Sequence, residues 1–386
     1  MSTLPINKFG DIETPFYYYD VAQLRETLEC ARNQAAKYDG YHIHYAIKAN
    51  FNPRLLQIIS ETGIGADCVS GGEVKAALDA GITPEKIVFA GVGKTEKELR
   101  LALEADIFCF NAESLPEVEL IDELAAEYNT TARIAIRVNP GVGAHTHANI
   151  TTGLAENKFG INYELLEETI RCISKLKNIE LIGLHFHIGS QILMMDDFAT
   201  LCNRINEIQE TLRKNLGLVL PNINVGGGLG IDYNQPEKNP IPDFAAYFAT
   251  YAKGLKRYPG QQIHFELGRS LVGQCGILVS RVTYVKRGTC KEFVIIDAGM
   301  NDLVRPALYQ AYHMIENLTS DATEQKSYDI VGPICESSDV FAKERSLPLT
   351  KRGDIIAIHS AGAYGEAMAF GYNCRELPKA YLSTEL

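Results

Sequence analysis

The chain has 386 residues, 46% hydrophobic and 22% charged, and its 37 Lys and Arg against 48 Asp and Glu leave a formal net charge of −11. That length exceeds one hydrophobic core and predicts two domains. The acidic balance argues against a nucleic-acid footprint, which needs basic patches, and no apolar run is long enough to cross a membrane.

Nine scattered cysteines without a Cys-x-x-Cys pair argue against a disulfide framework and against a zinc or iron–sulfur centre, so no metal is expected. The opening Met1–Asn7 lacks the charged-then-apolar form of a secretion signal. A reduced, cytoplasmic setting is the expectation.

Near the start, Pro15–Tyr19 is a β-rich run, and Asp20 is placed to cap a helix over about 21–37. A rhythm follows. Short apolar or alternating runs lie at 42–47, 64–69, 87–90, 107–110, 132–138, 181–187, 222–226 and 262–266. Between them lie amphipathic stretches near 53–61, 71–80, 95–105, 114–128, 164–176, 196–215 and 242–257. Strands alternating with helices predict a parallel sheet, and eight such units fit an α/β fold of the (β/α)8 TIM-barrel type. Beyond about residue 270 the helical period fades. Strands are predicted at 275–287, 291–297 and 354–359, with one short helix around 303–316 and an exposed polar loop over Asn317–Ser327. The expected organisation is a barrel over 21–270 and a second, mostly β, barrel-like domain from 271–386 that also takes 1–20.

Barrels of this kind carry their chemistry where strands end. Lys48 ends the first predicted strand, Asp67 the second, Arg137 and Asn139 the fifth, His187 the sixth, Gly226–Gly228 the seventh and Glu266 the eighth. Each has an ordinary reading. A strand-end lysine can be a solvated terminus, or an amine with a pKa lowered by burial that forms a Schiff base. The Gly226-Gly227-Gly228-Leu229-Gly230 run can be a turn, or a nest of N–H groups for a phosphate. Glu266 can be a surface ion-pair partner. His185 and His187 alternate, so one can be a core residue and the other can stack on a flat ring. Taken together, a lysine, a glycine nest and a strand-eight carboxylate are what pyridoxal phosphate needs. The loops after strands seven and eight are the recurrent phosphate site of such barrels.

Tyr45-Ala46-Ile47-Lys48-Ala49-Asn50, His185–Gln191, Gly226–Gly230, Glu266–Arg269 and Cys335-Glu336-Ser337-Ser338-Asp339 resemble, in order, the motifs of the alanine-racemase-like (fold type III) pyridoxal-phosphate decarboxylases. The resemblance runs from about residue 12 to the C-terminus. Asp297–Tyr309, Cys335–Ser337 and Gly362–Tyr364 resemble the diaminopimelate decarboxylases within that group. Leu267 stands where the family usually has proline.

The resemblance implies decarboxylation of meso-2,6-diaminopimelate to L-lysine, with roles residue by residue. Lys48 would hold the cofactor, with Asp67 and Arg137 among its binding residues, and His187 would stack on the ring. Ser190 and the backbone of Gly227, Gly228, Gly268 and Arg269 would hold the phosphate, and Glu266 would keep the pyridine nitrogen protonated. Arg269, Arg305 and Tyr309 would clamp the distal carboxylate, Glu336 would meet the distal ammonium, and Tyr364 would touch both cofactor and substrate. Cys335 would return a proton to the substrate carbon. It also implies a homodimer in which Cys335 and Glu336 come from the partner subunit. The alternative within this chemistry is a decarboxylase of ornithine, arginine or carboxynorspermidine, for which Arg305-Pro306-Ala307-Leu308-Tyr309 lacks a purpose. A non-catalytic homologue is the reading from another class, and the presence of Arg305, Cys335 and Glu336 weighs against it.

Overall fold

The computed structural model of the chain describes residues 4–141 and 158–386; Met1–Thr3, part of the opening stretch read above, lie outside them. Two compact units share the chain. One takes the described residues up to Thr27, Ile231–Pro242 and Arg269–Leu386, the other Leu28–Gly230 and Asp243–Gly268.

In the second of these, the strands Tyr41–Ala46, Gly65–Cys68, Ile87–Phe89, Cys109–Ala112, Ala132–Asn139, Ile179–His185, Asn222–Asn224 and Gln262–Leu267 pair in parallel. The eighth returns to the first, with Ile263 opposite Tyr41 and Leu267 opposite Tyr45. Among the described residues the eight therefore close into a barrel, and closure leaves no unpaired edge. Several of the helices between them begin at side-chain caps. Asn52 accepts from the Arg54 N–H to start Pro53–Glu61, which buries Leu55, Leu56, Ile58 and Ile59. Ser70 and Ser114 start Gly71–Asp79 and Leu115–Glu127 in the same way. Inside the barrel, Val88, Cys109, Ala135 and Ile182 form an apolar cluster. Beside it His44 Nε2 lies 2.9 Å from His264 Nδ1, and His264 Nε2 2.9 Å from Asn222 Oδ1.

The other unit is mostly β. Its strands run in the order Ile315–Asn317, Ile355–Ile358, Gly276–Arg287, Glu292–Ile296, Gln325–Val331, Val340–Pro348. The N-terminal strand Phe16–Tyr19 lies antiparallel to Gly276–Arg287 and parallel to Lys379–Leu382. Its core contains Phe9, Phe16, Tyr18, Ile277, Val279, Ile355 and Ala357. Asp20 caps the following helix, Val21–Ala35, by accepting from the Ala22 and Gln23 N–H groups.

Several expectations need correction. The first barrel strand stops at Ala46, so Lys48 sits in a helical turn, Ile47–Ala49, beyond the strand end. The sixth strand stops at His185, two residues before His187. The helix expected around 303–316 covers only Arg305–Tyr309, and Ile315–Asn317 is a strand. Asn317 is not part of an exposed loop. It is buried, with its amide donating to Thr350 and Asp354. Gln325–Ser327 open the strand Gln325–Val331, whose first three residues are exposed and polar. That strand, Val340–Pro348 and Lys379–Leu382 carry no clean alternation that marks them as strands.

Candidate active site

The turn after the first barrel strand is pinned by the Tyr45 hydroxyl, which donates to the Asn50 carbonyl at 2.8 Å. It carries Lys48, whose Nζ lies 3.2 Å from Asp67 Oδ2 on the neighbouring strand. Asp67 is fully buried, whereas 38% of the Lys48 side chain is exposed. Burial, followed by the Glu266 charge, pushes the Asp67 carboxyl up to about 7, against the pull of Lys48. Its other oxygen, Oδ1, has no hydrogen-bond partner among the described residues.

Glu266 lies inside the barrel on the eighth strand, held from three other strands. Asn111 Nδ2 and Asn224 Nδ2 donate to Oε1 at 3.0 and 2.7 Å, and His185 Nε2 to Oε2 at 3.0 Å. Burial alone would raise this carboxyl. The His185 charge and hydrogen bond, then the Lys48 charge, outweigh burial and hold it below the usual carboxylate range. Glu266 is thus a buried carboxylate kept ionised. The sequence reading missed Asn111, Asn224 and His185 in this role. Asn111 and Asn224 carry a faint signal, a polar residue at an inward position of a short apolar strand.

His187 is half-buried, and the Gly227 N–H points at its Nδ1 at 3.3 Å. Desolvation, then the Arg137 and Lys48 charges, push its pKa well down, so the ring is a flat neutral imidazole. The glycine loop beside it tolerates no side chain. A Cβ on Gly227 would lie 1.9 Å from the Glu266 carbonyl oxygen, and Gly228 has φ +107°. A Cβ on Gly268 would lie 3.1 Å from the Cβ atoms of Ala46 and Ala49. Ser190 is half-buried between Gly189 and Gln191, the latter in the left-handed region at φ 61°. Arg137 is buried and engaged with Glu113 Oε1 at 2.7 Å, its guanidinium carbon 4.6 Å from the centre of the Phe159 ring. This set fits pyridoxal phosphate by its donor chemistry: an accessible amine, a glycine cradle for an anion, a flat neutral ring, a buried carboxylate, and a buried acid with a vacant oxygen.

The remaining predicted residues lie in the mostly β unit. Arg269 and Arg305 are buried. Arg269 Nη1 donates to the Tyr233 hydroxyl at 2.6 Å, and its guanidinium carbon stands 4.8 Å from the Tyr364 ring centre. Arg305 Nη1 donates to His313 Nε2 at 2.8 Å. Burial lowers the Arg305 pKa and the Arg269 charge lowers it further, against the pull of Tyr233 and Tyr364. No carboxylate pairs with Arg305 among the described residues. Tyr309, at the end of the Arg305–Tyr309 helix, is half-buried. Cys335 and Glu336 are exposed; the Cys335 N–H donates to Asn373 Oδ1, and Glu336 Oε1 accepts from the Tyr372 hydroxyl at 2.7 Å. Asp339 is buried and braces this turn by accepting from the Met300 and Ile334 N–H groups.

Known proteins resemble this chain along nearly all of its length. Residues 21–273 match the family described as pyridoxal-dependent decarboxylase, pyridoxal binding domain. The diaminopimelate decarboxylase of Bacteroides thetaiotaomicron is 62% identical over 382 residues, covering 99% of this chain and 98% of the relative. That of Aquifex aeolicus is 43% identical, covering 94% and 84%. The crystal structure of diaminopimelate decarboxylase from Helicobacter pylori complexed with L-lysine superimposes with a TM-score of 0.90 at 39% identity, covering 97% of this chain and 93% of that one.

Proposed function

The chain belongs to the diaminopimelate decarboxylases, within the pyridoxal-dependent decarboxylase family, and from that membership we propose how its own residues divide the work. The reaction is the removal of one carboxylate of meso-2,6-diaminopimelate as CO2 to leave L-lysine, the last step of lysine biosynthesis, with pyridoxal phosphate as cofactor. When bound, the cofactor supplies a sink for the electron pair left on the substrate carbon.

The barrel, over 21–270, is the cofactor's domain. Lys48 supplies the amine that holds it. Asp67 faces that amine through Oδ2 and keeps Oδ1 without a hydrogen bond among the described residues, and His187 would stack on the cofactor ring. Glu266, ionised and fixed by three donors, keeps a proton on the ring nitrogen. Ser190 and the backbone of Gly227, Gly228, Gly268 and Arg269 take the phosphate, and Arg137 supports that side through its ion pair with Glu113.

The mostly β domain, 271–386 with 1–20, extended by Ile231–Pro242 and Arg269–Ser270, recognises the substrate. Arg269, Arg305 and Tyr309 bind the distal carboxylate, Glu336 the distal ammonium, and Tyr364 contacts substrate and cofactor. After CO2 leaves, the proton on Cys335 Sγ passes to the substrate carbon. The enzyme is a cytoplasmic homodimer in which Cys335 and Glu336 of the partner subunit complete each site.

The observation that carries the choice of substrate is Arg305, a buried guanidinium with no protein carboxylate beside it among the described residues. A buried cation without a counter-ion is costly. A substrate that keeps a second carboxylate relieves that cost, and ornithine does not. The test is CO2 release by the purified holoenzyme from meso-diaminopimelate against ornithine. Turnover on the first is expected to dominate, and preference for ornithine overturns the reading.

A further inference from the structure

We infer that Tyr233 and His313 are positioning residues that set the orientation of the Arg305 and Arg269 guanidinium groups toward the distal carboxylate of the substrate. The inference rests on the proposed role of those arginines and adds the two residues that hold them.

Consider His313, which is 1% exposed. Its Nδ1 lies 2.8 Å from the His359 carbonyl oxygen, and its Nε2 lies 2.8 Å from Arg305 Nη1. A carbonyl can only accept and a guanidinium can only donate. Both contacts are hydrogen bonds in one protonation state alone: neutral imidazole, proton on Nδ1, lone pair on Nε2. The His359 carbonyl therefore selects the tautomer that presents an acceptor to Arg305, as the second partner of a ring nitrogen commonly does. Burial and the Arg305 and Arg269 charges oppose a second proton, and lower the His313 pKa to about 3.

Tyr233 holds the other side. It belongs to Ile231–Pro242, which follows the glycine loop of the seventh barrel strand in sequence but clusters with the arginines' unit. Its hydroxyl accepts from Arg269 Nη1 at 2.6 Å. Its ring centre lies 4.9 Å from the guanidinium carbon of Arg305, and the His313 ring meets it edge-on at 5.1 Å. One tyrosine thus bonds one guanidinium and offers its face to the other. Neither partner is anionic, so neither competes for the charge that the arginines present. Arg305 keeps Nε buried and without a hydrogen bond among the described residues, a donor left over for a planar acceptor. Fixing two long side chains in advance also removes part of the ordering cost of binding.

The experiment measures kcat and KM on meso-diaminopimelate, with thermal unfolding midpoints, for the wild-type holoenzyme and for His313→Leu, His313→Gln and Tyr233→Phe. His313→Leu strands the Arg305 donor and is expected to raise KM about tenfold with kcat little changed. His313→Gln restores an acceptor near the Nε2 position and should bring KM back to within about threefold of wild type. Tyr233→Phe keeps the ring but frees Arg269 and should raise KM about fivefold. An unchanged KM in His313→Leu, or equal rises in the leucine and glutamine variants, overturns the inference. If His313→Leu does not fold, Tyr233→Phe decides, and an unmoved KM there overturns it as well. A wild-type enzyme that releases no CO2 from meso-diaminopimelate sinks the proposed function and this inference with it. A working wild type whose variants keep their KM sinks this inference alone.

Discussion

Lys48 Nζ lies 3.2 Å from Asp67 Oδ2, an amine just past the end of one barrel strand against a fully buried acid on the next. The pairing gives the amine a fixed position and leaves 38% of the side chain open to a reaction partner. Lys48→Ala is expected to lose the visible absorbance of protein-held cofactor and to drop CO2 release below detection. Absorbance spectra and a carbon dioxide assay on the purified variant check both, and undiminished turnover would reject the assignment.

Glu266 sits among three donors, so exchanging its carboxylate for an amide turns an N–H donor toward groups that themselves donate. Glu266→Gln is expected to lower kcat about a hundredfold or more. It should also cost about 1–3 kcal/mol of stability, because one buried donor is left facing another. Steady-state kinetics at saturating cofactor and denaturant titration separate the two effects.

The clash distance at Gly227 predicts a structural effect close to the chemistry. A Cβ 1.9 Å from the Glu266 carbonyl cannot be accommodated unless the backbone on one side moves. Gly227→Ala is expected to destabilise by about 1–3 kcal/mol and to weaken cofactor retention, measured by dialysis of the holoenzyme against cofactor-free buffer.

Arg305 is the discriminating residue for substrate. Arg305→Ala should raise KM for meso-diaminopimelate by about tenfold to a hundredfold, with no proportional loss on ornithine. Arg305→Lys should restore little, because an ammonium lacks the planar fork. Equal losses on both substrates would count against recognition of a distal carboxylate.

The barrel histidines predict a pH dependence of stability. Burial lowers the His44 pKa to about 4, although the Lys86 carbonyl and Glu266 pull it back. Between that value and the unfolded value of about 6.5 the unfolded chain binds the extra proton, so this contribution is present at neutral pH and is lost as pH falls. By pH 5 the loss is roughly 2 kcal/mol. Denaturant titrations at pH 7 and pH 5 should therefore show a smaller drop for His44→Gln than for wild type. Identical drops would place the acid sensitivity elsewhere.

Local signals were the readable ones. The eight barrel strands, the cap at Asp20, the glycine run and the lysine near the first strand end all rest on residue type and short-range period, and the described chain has them. Gln325–Val331 shows the opposite case. It begins with three exposed polar residues, so nothing in its pattern separates it from a loop, and pairing with Val340–Pro348 is what makes it a strand.

The sequence by itself determined the alternation of strands and helices, and with it the closure of a parallel barrel whose strand ends gather lysine, acid and glycine. It also carried the motifs that mark the family. Only the tertiary structure decided that Glu266 is gripped by Asn111, Asn224 and His185, that Tyr233 joins the arginines' unit, and that the His359 carbonyl selects the tautomer of His313. The reason is physical: a period reports which way a side chain points from its own element, whereas a hydrogen-bond partner is chosen by which distant strands become neighbours.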